Sequence, residues 1–271
     1  MKLQHTVTQP SMSSSNYYKL PLIDGLEALD AVNYNTPFPF HFHPTYNISL
    51  VYEGVFETKL SDKSVSALKG TILVTNPHEI HANPCVKADA RSFFTFYLTA
   101  DFFEYANGLK NLQFKEKVIH DDLIFAELHQ VSLKIKSGHV GNSYEKQLTD
   151  VLKMMVLTHG TIADEHGHEK ITAMFDNYLD ETHFEKFSLQ DAANQLGLDK
   201  FKFLRLFKFQ TGLTPNNYLI LKKIEKSKIM LADGAHLLGV AIDLGFYDTA
   251  HFCKHFKKFT GTSPIAYQSS V

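Results

Sequence analysis

Two cysteines, Cys85 and Cys253, lie far apart in the 271 residues, which excludes both a disulfide framework and a paired zinc knuckle and points to a reducing compartment. Arginine is as scarce, with Arg91 and Arg205 alone. No run approaches the ~20 consecutive apolar residues of a membrane span. The polar start, MKLQHTVTQPSMSSSNYY, lacks the apolar core of a secretory signal, so a cytoplasmic protein with no membrane partner is expected. A surplus of either charge is missing too, the net being −2 at pH 7, which excludes a uniformly basic coat. That average hides an asymmetry. Residues 1–169 carry 14 Lys/Arg against 19 Asp/Glu, whereas residues 170–271 carry 13 against 10. A basic bias at one end fits a nucleic-acid module joined to an acidic partner domain.

What is present divides by periodicity. Ile48 to Tyr52, Thr71 to Val74 and Phe93 to Leu98 are β-branched and aromatic runs bounded by Gly54, Gly70, Pro77 and Pro84, and they predict strands. From about 122 the period becomes helical. Leu123, Leu128 and Val131 define one helix, and Leu148, Val151, Leu152, Met155 and Val156 a second. Thr158 to Lys170 is polar, holds two glycines and three histidines, and reads as an interdomain linker.

The last hundred residues carry an internal repeat. The frame F-K-x-x-T-G-x-S/T-P-x-x-Y occurs from Phe207 to Tyr218 and again, 49 residues on, from Phe256 to Tyr267. Each copy predicts a helix closed by a glycine at positive φ, then Thr214 or Ser263 as N-cap and a proline at the first helical position. Upstream of each copy stand small residues before a turn glycine, Ala192-Ala193 before Gly197 and Val240-Ala241 before Gly245. Two helices crossing steeply make that steric demand, as in a helix-turn-helix. Glycine-to-phenylalanine spacing is ten residues in the first unit and eleven in the second, which predicts recognition helices that are similar but not superposable.

On L-x-x-A-A-x-x-L-G-L (189–198), F-L-R-L-F-K-x-x-T-G-L-T-P-x-x-Y (203–218) and G-F-x-D-x-x-H-F-x-K-x-F-K-K-x-T-G-x-S-P-x-x-Y (245–267), the chain resembles the AraC family of transcription regulators over about 171–268. The resemblance implies seven helices, with a long one over about 215–231 setting the distance between two recognition helices. Its Ile220, Ile224, Ser227 and Leu231 face inward; Lys222, Lys223, Lys226 and Lys228 lie elsewhere, some free to reach phosphate. It further implies that DNA is read by Lys200, Phe201, Lys202, Leu204 and Arg205 on the first helix and by Thr249, Ala250, His251 and Lys254 on the second. Arg205 can pair bidentately with guanine O6/N7.

The N-terminal half resembles a cupin over about 35–100. His41, His43, Asn47 and Gly54 have the spacing of the first cupin motif, with Asn47 in place of Glu. Gly70, Asn76, Pro77, His78 and His81 resemble the second, with Asn76 and His78 replacing its Pro and Gly. Imidazoles two apart on a strand share a face, so His41 and His43 can meet His81 in a central pocket. Three histidines are a catalytic-type metal set. The carboxylate ligand is missing, however, and the aromatics nearby suit an organic molecule. An effector site of His41, His43, Tyr46, Asn47 and His81 is therefore expected, with no metal and no cofactor.

The fold expected is an N-terminal cupin-like β-barrel with trailing helices (1–165; barrel about 35–100, helices about 122–159) and a C-terminal all-α domain with two helix-turn-helix units (166–271). The function expected is sequence-specific binding of double-stranded DNA by a transcription regulator, an activator by family habit, whose barrel senses a small molecule. Homodimerisation and contact with RNA polymerase follow from the same resemblance. The competing reading is a metal-dependent cupin enzyme with a helical appendage, which leaves the duplicated helix-turn-helix without purpose.

Overall fold

A computed structural model describes residues 13–20, 26–85, 90–138, 142–162, 170–181 and 187–271. In chain order come β1 (Ser14–Lys19), β2 (Glu27–Tyr34), β3 (Phe38–His41), β4 (Thr45–Glu53), β5 (Val55–Lys59), β6 (Ser64–Leu68), β7 (Ile72–Thr75), β8 (His81–Asn83) and β9 (Arg91–Thr99). Then follow α1 (Ala100–Asn107), β10 (Leu112–Gln113), β11 (Val118–Ile119), α2 (Asp122–Lys136), α3 (Asn142–His159) and β12 (Thr161–Ile162). The C-terminal part holds α4 (Lys170–Glu181), α5 (Leu189–Gln195), α6 (Lys200–Thr211), α7 (Pro215–Ala232), α8 (Leu237–Asp243), α9 (Thr249–Thr260) and α10 (Pro264–Gln268).

The strands form a six-stranded antiparallel sheet, β1-β2-β9-β4-β7-β11, and a four-stranded one, β3-β8-β5-β6, with β10 and β12 as a separate pair. The run from Phe93 to Leu98 shows no alternation because both faces of its sheet are covered. Phe93 and Tyr97 join the core that includes Phe38 and Phe56 of the smaller sheet, whereas Phe94, Phe96 and Leu98 pack with Leu128, Val131, Leu148 and Leu152 of α2 and α3. The helical stripes therefore lie where periodicity put them, except that Leu123 is 60% exposed.

Three expectations need correction. The barrel begins well before residue 35, since β1 and β2 pair with one another and β2 with β9. The expected linker starts too early: α3 continues to His159 and β12 pairs with β10, while 163–169, including the expected boundary at 165, lie outside the described residues. The third concerns the recognition helices, which share one register. Both span twelve residues, and their N-caps Asp199 and Asp248, like their buried pairs Phe203/Phe252 and Phe207/Phe256, stand 49 residues apart. The extra residue of the second unit sits in its turn, from Gly245 to Asp248, where the first needs only Gly197 to Asp199.

From Lys170 onward the described residues form seven helices, and side-chain caps account for most of their starts. Ser188, Asp199, Thr214, Asp248 and Ser263 each accept a backbone N–H two or three residues on. Gly212 and Gly261 close α6 and α9 at φ 69° and 81°. Gly261 is doubly required, because a Cβ there would stand 2.5 Å from the Tyr34 hydroxyl on β2. That contact belongs to a broad seam. Tyr17 donates from its hydroxyl to the Thr260 carbonyl at 2.9 Å, and one continuous apolar core runs from Leu29 and Phe93 to Phe207 and Phe256.

Candidate nucleic-acid interface and barrel cavity

The faces of α6 and α9 turned away from the core carry what the sequence assigned to DNA. Lys200, Phe201, Lys202 and Arg205 are exposed on α6, as are Ala250 and Lys254 on α9. Thr249 is half-buried at the start of α9, and Leu204 is half-buried on α6. The Lys200 ammonium lies 5.1 Å from the Phe201 ring centroid, so the two present one cationic, aromatic patch. His251 is held more tightly than its partners: its ring packs against Phe246 and His255 at 5.8 and 4.5 Å. Tyr247, 92% exposed in the longer turn ahead of α9, extends this surface and was not among the expected residues.

Of the four α7 lysines, Lys226 is exposed, whereas the other three are engaged within the structure. Lys222 pairs with Asp176 at 3.2 Å. Lys223 is buried and donates to the Gly245 carbonyl at 3.1 Å, tying α7 to the second turn. Lys228 pairs with Glu27 of β2 at 2.7 Å and approaches Glu225 at 3.7 Å, while the Tyr267 hydroxyl also donates to Glu27. These three cations hold the structure together rather than reaching for phosphate. Their acceptors come from β2, α4, α7 itself and the α8–α9 turn, so only the Glu225 neighbour is local in sequence.

Between the two sheets lies a cavity of about 30 Å³ lined by His41, His43, Asn47, Thr75, His81 and Tyr97 among others, and by Phe259 from the end of α9. Four of the five expected pocket residues thus meet there. The His41 ring centroid is 4.8 Å from that of His43 and 4.3 Å from that of His81. Burial and then the neighbouring imidazoles hold His41 well below the usual histidine range, and burial with His43 brings His81 down to about 3. Both rings are therefore neutral at physiological pH.

Tyr46 is the exception. Asn47 and Ser49 of β4 face the cavity, so strand alternation turns Tyr46 outward, where it packs on Phe103 at 4.3 Å and donates to the Leu112 carbonyl at 2.6 Å. Tyr46→Phe should cost about 1 kcal/mol of stability through the lost hydrogen bond and leave ligand affinity of the cavity unchanged. A thermal melt and a binding titration check both, and a shift of ligand affinity beyond threefold would return Tyr46 to the site. Phe259, at a variable position of the repeat, reaches the cavity because the seam brings α9 against β3. A signal for it would have required the tertiary arrangement.

The His78 position adds a detail to the second cupin-like motif. Replacing a glycine, it still takes φ 59°, the left-handed conformation which that turn demands.

A β-sandwich with a small internal cavity, joined to two helix-turn-helix units set in one register on a shared long helix, defines a DNA-binding regulator with a sensing domain. Comparison with known proteins agrees. The AraC-like ligand binding domain matches residues 25–137, and a helix-turn-helix domain matches residues 192–270. The HTH-type transcriptional regulator YbfI of Bacillus subtilis is 26% identical over 226 residues, 79% of this chain and 81% of its own length. The HTH-type transcriptional activator RhaS of Escherichia coli is 22% identical over 250 residues, 84% of this chain and 86% of its own. Among solved structures, ToxT from Vibrio cholerae with an unsaturated fatty acid bound shares the fold across 100% of this chain and 98% of its own, at TM-score 0.59 and 11% identity.

The chain belongs to the AraC family of transcription regulators. It is a regulator rather than an enzyme, which retires the reading as a metal-dependent cupin enzyme. Among the described residues no helix is long and apolar enough to cross a membrane.

Proposed function

We propose that this regulator, probing cytoplasmic double-stranded DNA, reads two successive major-groove segments through Lys200, Phe201, Lys202 and Arg205 on α6 and Thr249, Ala250, His251 and Lys254 on α9. The observation that carries this reading is the shared register of the two helices. A side chain on one has its counterpart 49 residues away on the other, Arg205 matched by Lys254, and both are exposed. His251 serves from the edge of that surface, given its packing. Residues 1–165 act as the sensing and dimerising part and 166–271 as the DNA-binding part. His41, His43, Asn47 and His81 contact the ligand.

The seam supplies a mechanism. Phe259 lines the cavity and belongs to the second recognition helix, so a ligand that prefers one seating of α9 shifts the population of DNA-competent arrangements. Dimerisation falls to α2 and α3, whose Leu123 and Leu157 are 60% and 85% exposed. A homodimer engages paired sites at raised effective concentration. We carry over from the RhaS relatives the sense of an activator, and assign to this chain, as part of the same proposal, contact with RNA polymerase.

Selection of genomic fragments by the purified full-length chain tests the reading. A motif with two half-elements about one helical turn, or 10–10.5 base pairs, apart is expected. A folded protein that enriches no sequence at low salt overturns it.

A further inference from the structure

The volume of the cavity decides what can occupy it. Organic ligands of ordinary size need roughly 300–1,000 Å³, ten times and more the 30 Å³ found here. That space suits a single ion with one or two waters, since a water needs about 10–15 Å³ by this measure. The walls match. One ring nitrogen from each of His41, His43 and His81 lies within 4.8 Å of the others. Some point is then within about 2.8 Å of all three, against a Zn–N distance of about 2.0–2.1 Å, so each ring has to advance by roughly 0.7 Å at most.

The outer nitrogens are already spoken for. His41 Nδ1 donates to the Pro39 carbonyl at 2.7 Å and His81 Nδ1 to the Glu79 carbonyl at 2.8 Å. His43 Nδ1 faces Glu225 Oε1 at 3.6 Å. Carbonyl acceptors at Nδ1 of His41 and His81 set the tautomer whose lone pair is on Nε2, the usual outer shell of a metal-bound histidine, and Glu225 stands on the Nδ1 side of His43. On the same wall, Thr75 Oγ1 is buried with no hydrogen-bond partner among the described residues. A metal-bound water would satisfy it. The missing cupin carboxylate is no obstacle, because three histidines and a water complete a tetrahedral zinc site.

Resting on the regulator reading above, we infer that the ligand sensed by this chain is a divalent transition-metal ion of the zinc class, held by His41, His43 and His81 and coupled to the DNA-binding helices through Glu225. The coupling is particular to this chain's architecture. Glu225 lies on α7, the helix that spaces the two recognition helices, so it links the metal's outer shell directly to the DNA-reading part. Charge on the metal polarises the His43 ring, draws the Glu225 carboxylate closer than its present 3.6 Å and seats α7 on the barrel.

The test uses the full-length chain, stripped with chelator and dialysed against Zn²⁺, with metal counted by elemental analysis and affinity read by competition with a chromophoric chelator. One equivalent per chain is expected. His41→Gln combined with His81→Gln should abolish it while the thermal melt stays cooperative. Glu225→Gln, which removes no ligand, should weaken Zn²⁺ binding about 10–100-fold.

His251 and His255, one turn apart on α9 with ring centroids at 4.5 Å, are the obvious rival site. His255→Gln should therefore leave the stoichiometry unchanged. Failure to retain Zn²⁺, or retention by the double histidine variant, overturns the site, and indifference to Glu225→Gln overturns its link to α7. DNA binding measured on the same preparations separates the two levels. A chain that takes no metal but selects DNA loses only this inference, and one that takes metal but selects no DNA loses the regulator reading.

Discussion

Lys228→Met should loosen the seam between the C-terminal helices and the barrel by about 3–5 kcal/mol, the usual consequence of deleting one member of a buried ion pair. The Lys228 side chain is 12% exposed and its ammonium stands between Glu27 and Glu225, with the rings of Tyr97 and Tyr267 at 5.6 and 5.8 Å. Without it, two carboxylates face each other in a poorly hydrated space. A fall in melting temperature of roughly 6–12 °C follows for a chain of this size, together with faster amide exchange in β2 and α7. Glu27→Gln in the same chain should restore part of the loss by removing one of the stranded charges. A melt within about one degree of the parent would show the seam to be held by apolar contact alone.

The pH dependence supplies a second signature of the same hub. Burial pushes the Glu225 carboxyl up, but Lys228 and then His43 outweigh it and bring it down to about 2. A carboxyl depressed in the folded state stabilises above its unfolded value, near 4.3, and that contribution fades as pH falls from there towards 2. The parent chain should lose seam stability over that window. In Lys228→Met the carboxyl is no longer depressed by the lysine, so the penalty of the substitution should shrink as pH falls through 4.

Arg205→Ala with Lys254→Ala should lower affinity for the selected DNA at least 100-fold at physiological salt, with an unchanged melt. A bidentate arginine–guanine pair is worth about 1–3 kcal/mol of discrimination, and a lysine–phosphate contact adds to affinity and raises the salt slope by about 1. The two residues lie on separate helices, both exposed, so their effects should be close to additive. Fluorescence anisotropy across a salt series distinguishes the roles. Loss of sequence preference marks Arg205 as a base reader, and a shallower slope marks Lys254 as a phosphate contact. Affinity within threefold of the parent would move the DNA surface off these helices.

The C-terminal half was legible because its signals are local. N-caps, closing glycines and Pro215 and Pro264 act within a few residues of themselves, and the spacing of Phe203, Phe207, Phe252 and Phe256 carries the helical period. The error of register there came from measuring at the turn glycine instead of the capping aspartate. In the barrel, motif spacing brought His41, His43, Asn47 and His81 together, but it overrode strand alternation at Tyr46, which faces the other way. The polar β1, SSNYYK, offers no apolar run to read. What stayed hidden is what depends on partners distant in sequence. Lys228 meets Glu27 from the far end of the chain, His43 meets Glu225, and Phe259, on a helix, enters a cavity built otherwise by the barrel.

The single helix between the two DNA-reading units makes their relative phase a matter of counting residues. One residue added within α7 would turn everything beyond it by about 100° and carry it about 1.5 Å further along the axis. The second unit would then face away from the groove that the first occupies, however intact its own fold. Seven added residues would bring it nearly back to the same side, but about 10 Å further out. Loops elsewhere in the chain can lengthen at little cost, whereas under the proposed reading of α6 and α9 the helix α7 is a ruler whose marks are set by the pitch of DNA.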